Sequence, residues 1–181
     1  MSRDGQTAAR RPAARALPVV PVVPNSQFLH DDDPAVVALA LDFPQGAINP
    51  THTHPRGQLV YTARGMVTTT AERGVWLAPP QRAVWVPAGV AHANRHSVGT
   101  EFRTIYIRDD AASGLPARCV VVQVSPLVRE LLLAVTRLPR LYDDRGADGR
   151  LVQVLIDHLA GLSDEPLHLS VPTSRKLRAV A

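Results

Sequence analysis

One cysteine, Cys119, stands among 181 residues. A lone thiol closes no disulfide within the chain and cannot build the multi-cysteine site of a zinc finger or ribbon. Its setting, Cys119-Val-Val-Val, reads as a buried thiol that packs as a small apolar group. Aromatic residues are scarce, at 4%, so an internal pocket should be mostly aliphatic. No apolar run approaches the roughly 18 residues that a membrane-spanning helix needs. Leu17 to Pro24 is too short and too proline-broken for the core of a signal peptide. A cytoplasmic location is the expectation that follows. The length suits one full domain with an appendage and is short for two.

A basic body is lacking too. The net charge is +4, yet residues 1–15 carry four Arg against one Asp, and Arg175, Lys176 and Arg178 stand close to the other end. Between those ends, 13 basic residues face 15 acidic ones. The high pI belongs to the two ends, and the body offers no basic face for nucleic acid.

What is present is a succession of short apolar runs. Residues 1–26, rich in Ala, Arg and Pro, read as a flexible tail. Ala35 to Phe43 is a run of strand length between Pro34 and Pro44. Further strands are expected at Gln58 to Ala63, Met66 to Thr70, Gly74 to Leu77, Ala83 to Val86, His92 to Ser97, Phe102 to Arg108 and Arg118 to Val124. Turn signals at Pro79-Pro80, Ala88-Gly89 and Ser113-Gly114 separate them. Such spacing argues for a mainly β domain, a barrel or a sandwich, over residues 27–124.

The period then changes. Ser125-Pro126 fits an N-cap followed by proline at the first helical position, and Leu127, Val128, Leu131, Leu132 and Val135 make a wide apolar stripe before Pro139. A second amphipathic helix is expected from Asp148 to about Leu162, with Leu151, Val154, Leu155, His158, Leu159 and Leu162 on one side. Residues 125–162 thus form a helical hairpin. It either caps the barrel or provides a dimerisation element. In the tail that follows, Thr173 or Ser174 could cap a new helix at Arg175.

The chemistry gathers between Gly46 and Gly65. His52 and His54 are two residues apart, so on an extended strand their side chains share a face and can converge on one point. A bend at Pro55-Arg56-Gly57 could return Gln58 to the same point. A third histidine, His92, follows the Pro87-Ala-Gly89 turn. Three neutral imidazoles on a rigid sheet suit Ni²⁺, Zn²⁺, Co²⁺, Cu²⁺ or Fe²⁺. Gln58 is either a fourth ligand or stands outside the coordination sphere. His96, four residues beyond His92, is a further candidate, though its plainer reading is an ordinary hydrogen-bonding histidine. Arg56 either faces the barrel mouth to take an anion or is a solvated turn residue. Tyr61 and Trp85, with Trp76, are expected to line the barrel as pocket residues. His30, His158 and His168 have no partner in the sequence and carry no assigned role.

These residues resemble the two signature motifs of the cupin superfamily. Gly46, His52, His54 and Gly65 stand at the first motif's positions, with Gln58 where the family has Glu. Pro87, Gly89 and His92 match the second, which departs at Gln81, a Gly in the family, and at His96, an Asn. The wording HTHPRGQLVY (52–61) further resembles the sensor domains of AraC-type transcription regulators, in the branch that includes nickel-responsive members. The resemblance implies a cupin (jelly-roll-like) β-barrel that binds a divalent transition metal at His52, His54 and His92. It also implies dimerisation through residues 125–162 and DNA binding only through a further C-terminal domain, of which 163–181 would be the linker and truncated start.

The function expected is therefore non-enzymatic regulation: metal, or metal plus a small ligand, is sensed in the pocket and reported to a DNA-binding half. Two rivals stand beside it. A small metal-dependent cupin oxygenase or isomerase would explain the histidines equally well. It leaves the Gln at the carboxylate position and the amphipathic hairpin without a role. A metal-free small-molecule sensor differs only in the pocket.

Overall fold

The computed structural model describes residues 28–97, 99–161, 164–165 and 168–169. The tail (1–26) and the helix start expected at Thr173 or Ser174 lie outside the described residues. Nine strands come first in chain order: β1 (Val36–Phe43), β2 (Ile48–His52), β3 (Gly57–Arg64), β4 (Val67–Ala71), β5 (Gly74–Ala78), β6 (Arg82–Val86), β7 (His92–His96), β8 (Thr100–Ile107) and β9 (Val120–Gln123). Two helices follow, α1 (Pro126–Val135) and α2 (Ala147–Ala160), then two short strands, β10 (Asp164–Glu165) and β11 (His168–Leu169). They form two antiparallel sheets, ordered β1-β8-β3-β6-β9-β10 and β11-β5-β4-β7-β2. This is the double-sheet, jelly-roll arrangement of a cupin. After the hairpin the chain returns to both sheets, β10 pairing with β9 and β11 with β5.

At β3 the larger sheet is covered on both faces: Gly57 to Thr62 are all buried, although Gln58 and Thr62 are polar. Its inner face and the smaller sheet enclose Phe43, Val60, Val67, Trp76, Val84 and Phe102. Its outer face carries Leu59, Tyr61, Trp85 and Ile105 against Val128, Leu132, Leu155 and Leu159 of the helices. Tyr61 and Trp85, expected in the pocket, thus lie on the helix side of the sheet. Side chains alternate along a strand, so once Gln58 points inward Leu59 and Tyr61 point outward. Of the expected barrel-lining aromatics, Trp76 is inside. The Trp85 ring covers Gly57 so closely that a Cβ there would sit 2.1 Å from it, which leaves room only for glycine. Gly46, Gly65 and Gly89 turn the chain at positive φ, as glycine does without steric cost.

Ser125 caps α1 as its sequence suggests, accepting from the Val128 amide at 3.2 Å with Pro126 in the first turn. In α2 the buried stripe is Val152, Leu155, Ile156 and Leu159. Val154 and His158, expected on that side, are exposed. Apolar residues flank both edges of this helix, so the period alone does not choose between two neighbouring stripes. No helix among the described residues is long and apolar enough to cross a membrane.

Candidate metal centre

The site lies between the two sheets. His52 ends β2 and stands directly opposite His92 on β7, after an irregularity in the pairing that follows Asn49. His54 is not on the strand but in the crossover to β3, held there by a hydrogen bond from the Gly89 amide to its carbonyl at 2.9 Å. The Pro87–Gly89 turn thus fixes the backbone that carries a histidine 35 positions earlier in the chain. Gln58, the second residue of β3, enters from the opposite sheet, paired with Tyr106 on β8.

One ring nitrogen from each of His52, His54 and His92 lies within 4.8 Å of the other two. Their other ring nitrogens are all committed. Nδ1 of His52 meets the Pro50 carbonyl at 2.8 Å, Nδ1 of His92 meets the Val90 carbonyl at 2.9 Å, and Nδ1 of His54 meets the Arg56 carbonyl. A carbonyl only accepts, so each Nδ1 carries the proton and each Nε2 is left as a lone pair. That is the pattern by which proteins orient histidines toward a metal.

Gln58 completes the junction. Its Oε1 lies 3.0 Å from His54 Nε2 and 2.9 Å from His92 Nε2. Its amide nitrogen donates to Thr104 Oγ1 at 2.9 Å and to the Tyr106 hydroxyl at 3.1 Å. The Thr104 hydroxyl already donates to the Leu59 carbonyl at 2.9 Å, so toward Gln58 it can only accept. Two imidazole lone pairs and a carbonyl oxygen therefore face one another with no proton between them. His54 and His92 are both buried, and burial holds both below the usual histidine range, His92 at about 3. Protonation is thus a poor way to relieve this junction, and a cation among the acceptors is a good one. The donor set, imidazole nitrogens with a neutral carbonyl oxygen, fits a divalent transition metal.

His96 is elsewhere. It is fully buried, its Nδ1 pairs with Thr100 Oγ1 at 2.6 Å, its Nε2 pairs with Asn49 Oδ1 at 2.9 Å, and its ring lies on Phe43 at 4.1 Å between centroids. Both nitrogens are used locally, and desolvation lowers it to about 4. The shared strand face with His92 is real, but four residues along a strand is roughly 13 Å. Arg56 is neither solvated nor at the barrel mouth. It is 4% exposed and donates to the carbonyls of Pro34 at 2.6 Å, His30 at 3.1 Å and Asp33 at 3.3 Å. Buried arginines that bind backbone carbonyls leave no sequence signature. Thr104 and Tyr106 escape sequence reasoning for a similar reason: only the register of β8 against β3 brings them to Gln58. Cys119 is half-buried, and desolvation raises its thiol to about 11, in keeping with an inert side chain.

A family model described as AraC-like ligand binding domain matches residues 33–155. The HTH-type transcriptional regulator NimR of Escherichia coli (strain K12) is 36% identical over 132 residues, 73% of this chain and 48% of that protein. The chain thus spans about half the length of the curated relative it matches. Among solved structures, apo ToxT K231A from Vibrio cholerae superposes with a TM-score of 0.55 at 5% identity, over 76% of this chain and 62% of that one. ToxT bound to (E)-4-(8-methylnaphthalen-1-yl)but-3-enoic acid gives 0.50 at 7% identity, over 69% and 55%. At these identities the likeness is one of fold.

Proposed function

The chain belongs to the AraC-like ligand-binding domain family, and from that premise we propose that it is the metal-sensing part of a transcription regulator. His52, His54 and His92 would hold a divalent transition metal, nickel among the candidates, with Gln58 as a neutral fourth donor. The observation that carries this reading is the acceptor-only junction, where Gln58 Oε1 stands within 3.0 Å of two imidazole nitrogens whose partners have fixed them as lone pairs. Binding would relieve that repulsion and draw the two sheets together, since His52 and His92 come from one and Gln58 from the other. The helical hairpin, which lies on the outer face of the Gln58 sheet, would pass the change to a partner copy and to a DNA-binding domain.

A neutral Gln in place of a carboxylate leaves the full +2 charge on the site. Hard cations gain little from such a donor, which favours sensing over the oxygenase or isomerase alternative. In a sensor the bound state has only to prefer one arrangement of the chain over another.

Elemental analysis of tag-free protein, beside a His52→Ala/His54→Ala double variant, tests the reading. About one equivalent of metal in the parent protein and none in the variant is the expected result. A parent protein that arrives empty and takes up neither Ni²⁺, Zn²⁺ nor Co²⁺ would refute it. The small-molecule sensor would then stand in its place.

A further inference from the structure

Resting on the metal-sensor reading, we infer that residues 28–34 are the connection that carries occupancy of the histidine site to the helical hairpin. Arg56 anchors them on one side, and an Asp33–Arg140 ion pair anchors them on the other.

The metal side of this turn is held twice. The Arg56 carbonyl orients His54 through its Nδ1, while the Arg56 guanidinium is buried against the carbonyls of His30, Asp33 and Pro34. One residue thus positions a ligand with its backbone and grips the turn with its side chain. Independently, the Phe28 ring packs on Tyr106 at 5.9 Å between centroids. Tyr106 in turn meets the His54 ring edge-on at 5.1 Å and accepts from the Gln58 amide.

The hairpin side is held by Arg140, in the loop between α1 and α2. Its Nε and one terminal nitrogen reach the two carboxylate oxygens of Asp33 at 3.1 and 2.7 Å. The same guanidinium donates to the Phe28 carbonyl and lies 4.8 Å from the centre of the Phe28 ring. Asp33 is 4% exposed, and its carboxylate also accepts from the His30 amide at 2.7 Å. Tyr142, two residues beyond Arg140, accepts from the Val36 amide at 3.4 Å. Residues separated by more than 100 positions thus meet on a turn that also touches Arg56 and Tyr106, two residues that contact the His54 ring.

A bidentate guanidinium–carboxylate pair fixes direction as well as distance, so a displacement of the turn is passed on to the loop rather than absorbed. Any movement of His54 or of the 55–57 backbone reaches the turn through Arg56, and the turn cannot shift without pulling on a loop that joins both helices. Coupling of this kind is reciprocal: if metal biases the hairpin, loss of the hairpin contact changes metal affinity by the same factor.

Hydrogen exchange on the 181-residue chain, with and without Ni²⁺, is the test, on the parent protein and on Arg140→Gln, Arg140→Lys and Asp33→Asn. In the parent protein Ni²⁺ should increase protection at 28–36, at 52–58 and at 137–160. In Arg140→Gln and Asp33→Asn the stoichiometry should stay the same and protection at 52–58 should persist. The response at 137–160 should be lost, and Ni²⁺ affinity should change roughly fivefold or more. Arg140→Lys, which keeps the charge without the fork, should transmit only in part. The inference is overturned if Ni²⁺ binds the parent protein without altering 137–160, or if both Arg140→Gln and Asp33→Asn respond in full. A parent protein that binds no metal would instead overturn the sensor reading, and this inference with it.

Discussion

Thr104 decides which end of the Gln58 amide faces the histidines. Its hydroxyl donates to the Leu59 carbonyl and accepts from Gln58 Nε2 at 2.9 Å. Reversing the amide would set two acceptors against each other at that distance. Thr104→Val keeps the shape of the side chain, removes the acceptor and frees the amide to turn. Metal affinity should then fall roughly tenfold or more, the usual cost of losing a partner behind a ligand. Isothermal titration with Ni²⁺ measures it. An unchanged affinity would mean that Gln58 is not a donor.

Gln58→Glu separates charge from shape at the same position. A carboxylate beside two histidine lone pairs favours their protonation in the metal-free protein and cancels one charge in the loaded one. The variant should bind divalent metal more tightly, with the largest gain for Mn²⁺ and Fe²⁺, which favour anionic oxygen. Competition titrations across Mn²⁺, Fe²⁺, Co²⁺ and Ni²⁺ compare the two forms. A variant that gains equally for every metal would show that the amide does not tune selectivity.

The barrel and the hairpin were legible in the sequence because each rests on short-range signals. Strand alternation, the Pro and Gly punctuation and the Ser125-Pro126 cap all lie within a few residues of what they determine. His52, His54, His92 and Gln58 were legible through spacing. The roles of Arg56, Tyr61 and Trp85 were not. Arg56 binds carbonyls 22 to 26 positions away, and backbone carbonyls are present at every residue. Tyr61 and Trp85 turn on which face of the sheet the helices cover, a fact that β3 conceals because both of its faces are buried. Parity alone would have placed Tyr61: it is three positions from Gln58 and so points the other way.

His96 makes the metal-free protein acid-sensitive. Its folded value, about 4, lies below the unfolded value of 6.5, so below pH 6.5 the unfolded chain binds more protons than the folded one. The stability it contributes is complete above that pH and is lost as pH falls toward 4. Between about pH 7 and about pH 5 the loss is roughly 2 kcal/mol from this residue. His54 and His92, lowered by the same burial, add to it. Urea unfolding in the presence of a chelator should show stability falling with acid, and His96→Gln should flatten that slope by up to one proton. The slopes are the comparison, since the substitution also disturbs the bonds to Asn49 and Thr100. Identical slopes would mean that His96 titrates normally in the fold.

The hairpin leaves apolar side chains in water. Leu127 on α1 is 53% exposed, Val154 on α2 is 43% exposed, and Leu141 in the loop between them is 70% exposed. A single exposed aliphatic side chain is ordinary, but three on one helical hairpin, beside a sheet whose outer face is already covered by these helices, favour a second copy as the cover. Because none of the three supports the core, Leu127→Glu/Val154→Glu should leave stability within about 0.5 kcal/mol. It should instead shift the protein toward monomer in sedimentation velocity at micromolar concentration. A parent protein that sediments as a monomer, or a double variant that dimerises as before, would move the interface off these helices. A monomeric double variant that still binds metal would separate sensing from assembly, as expected if the site lies between the sheets and the contact lies outside them.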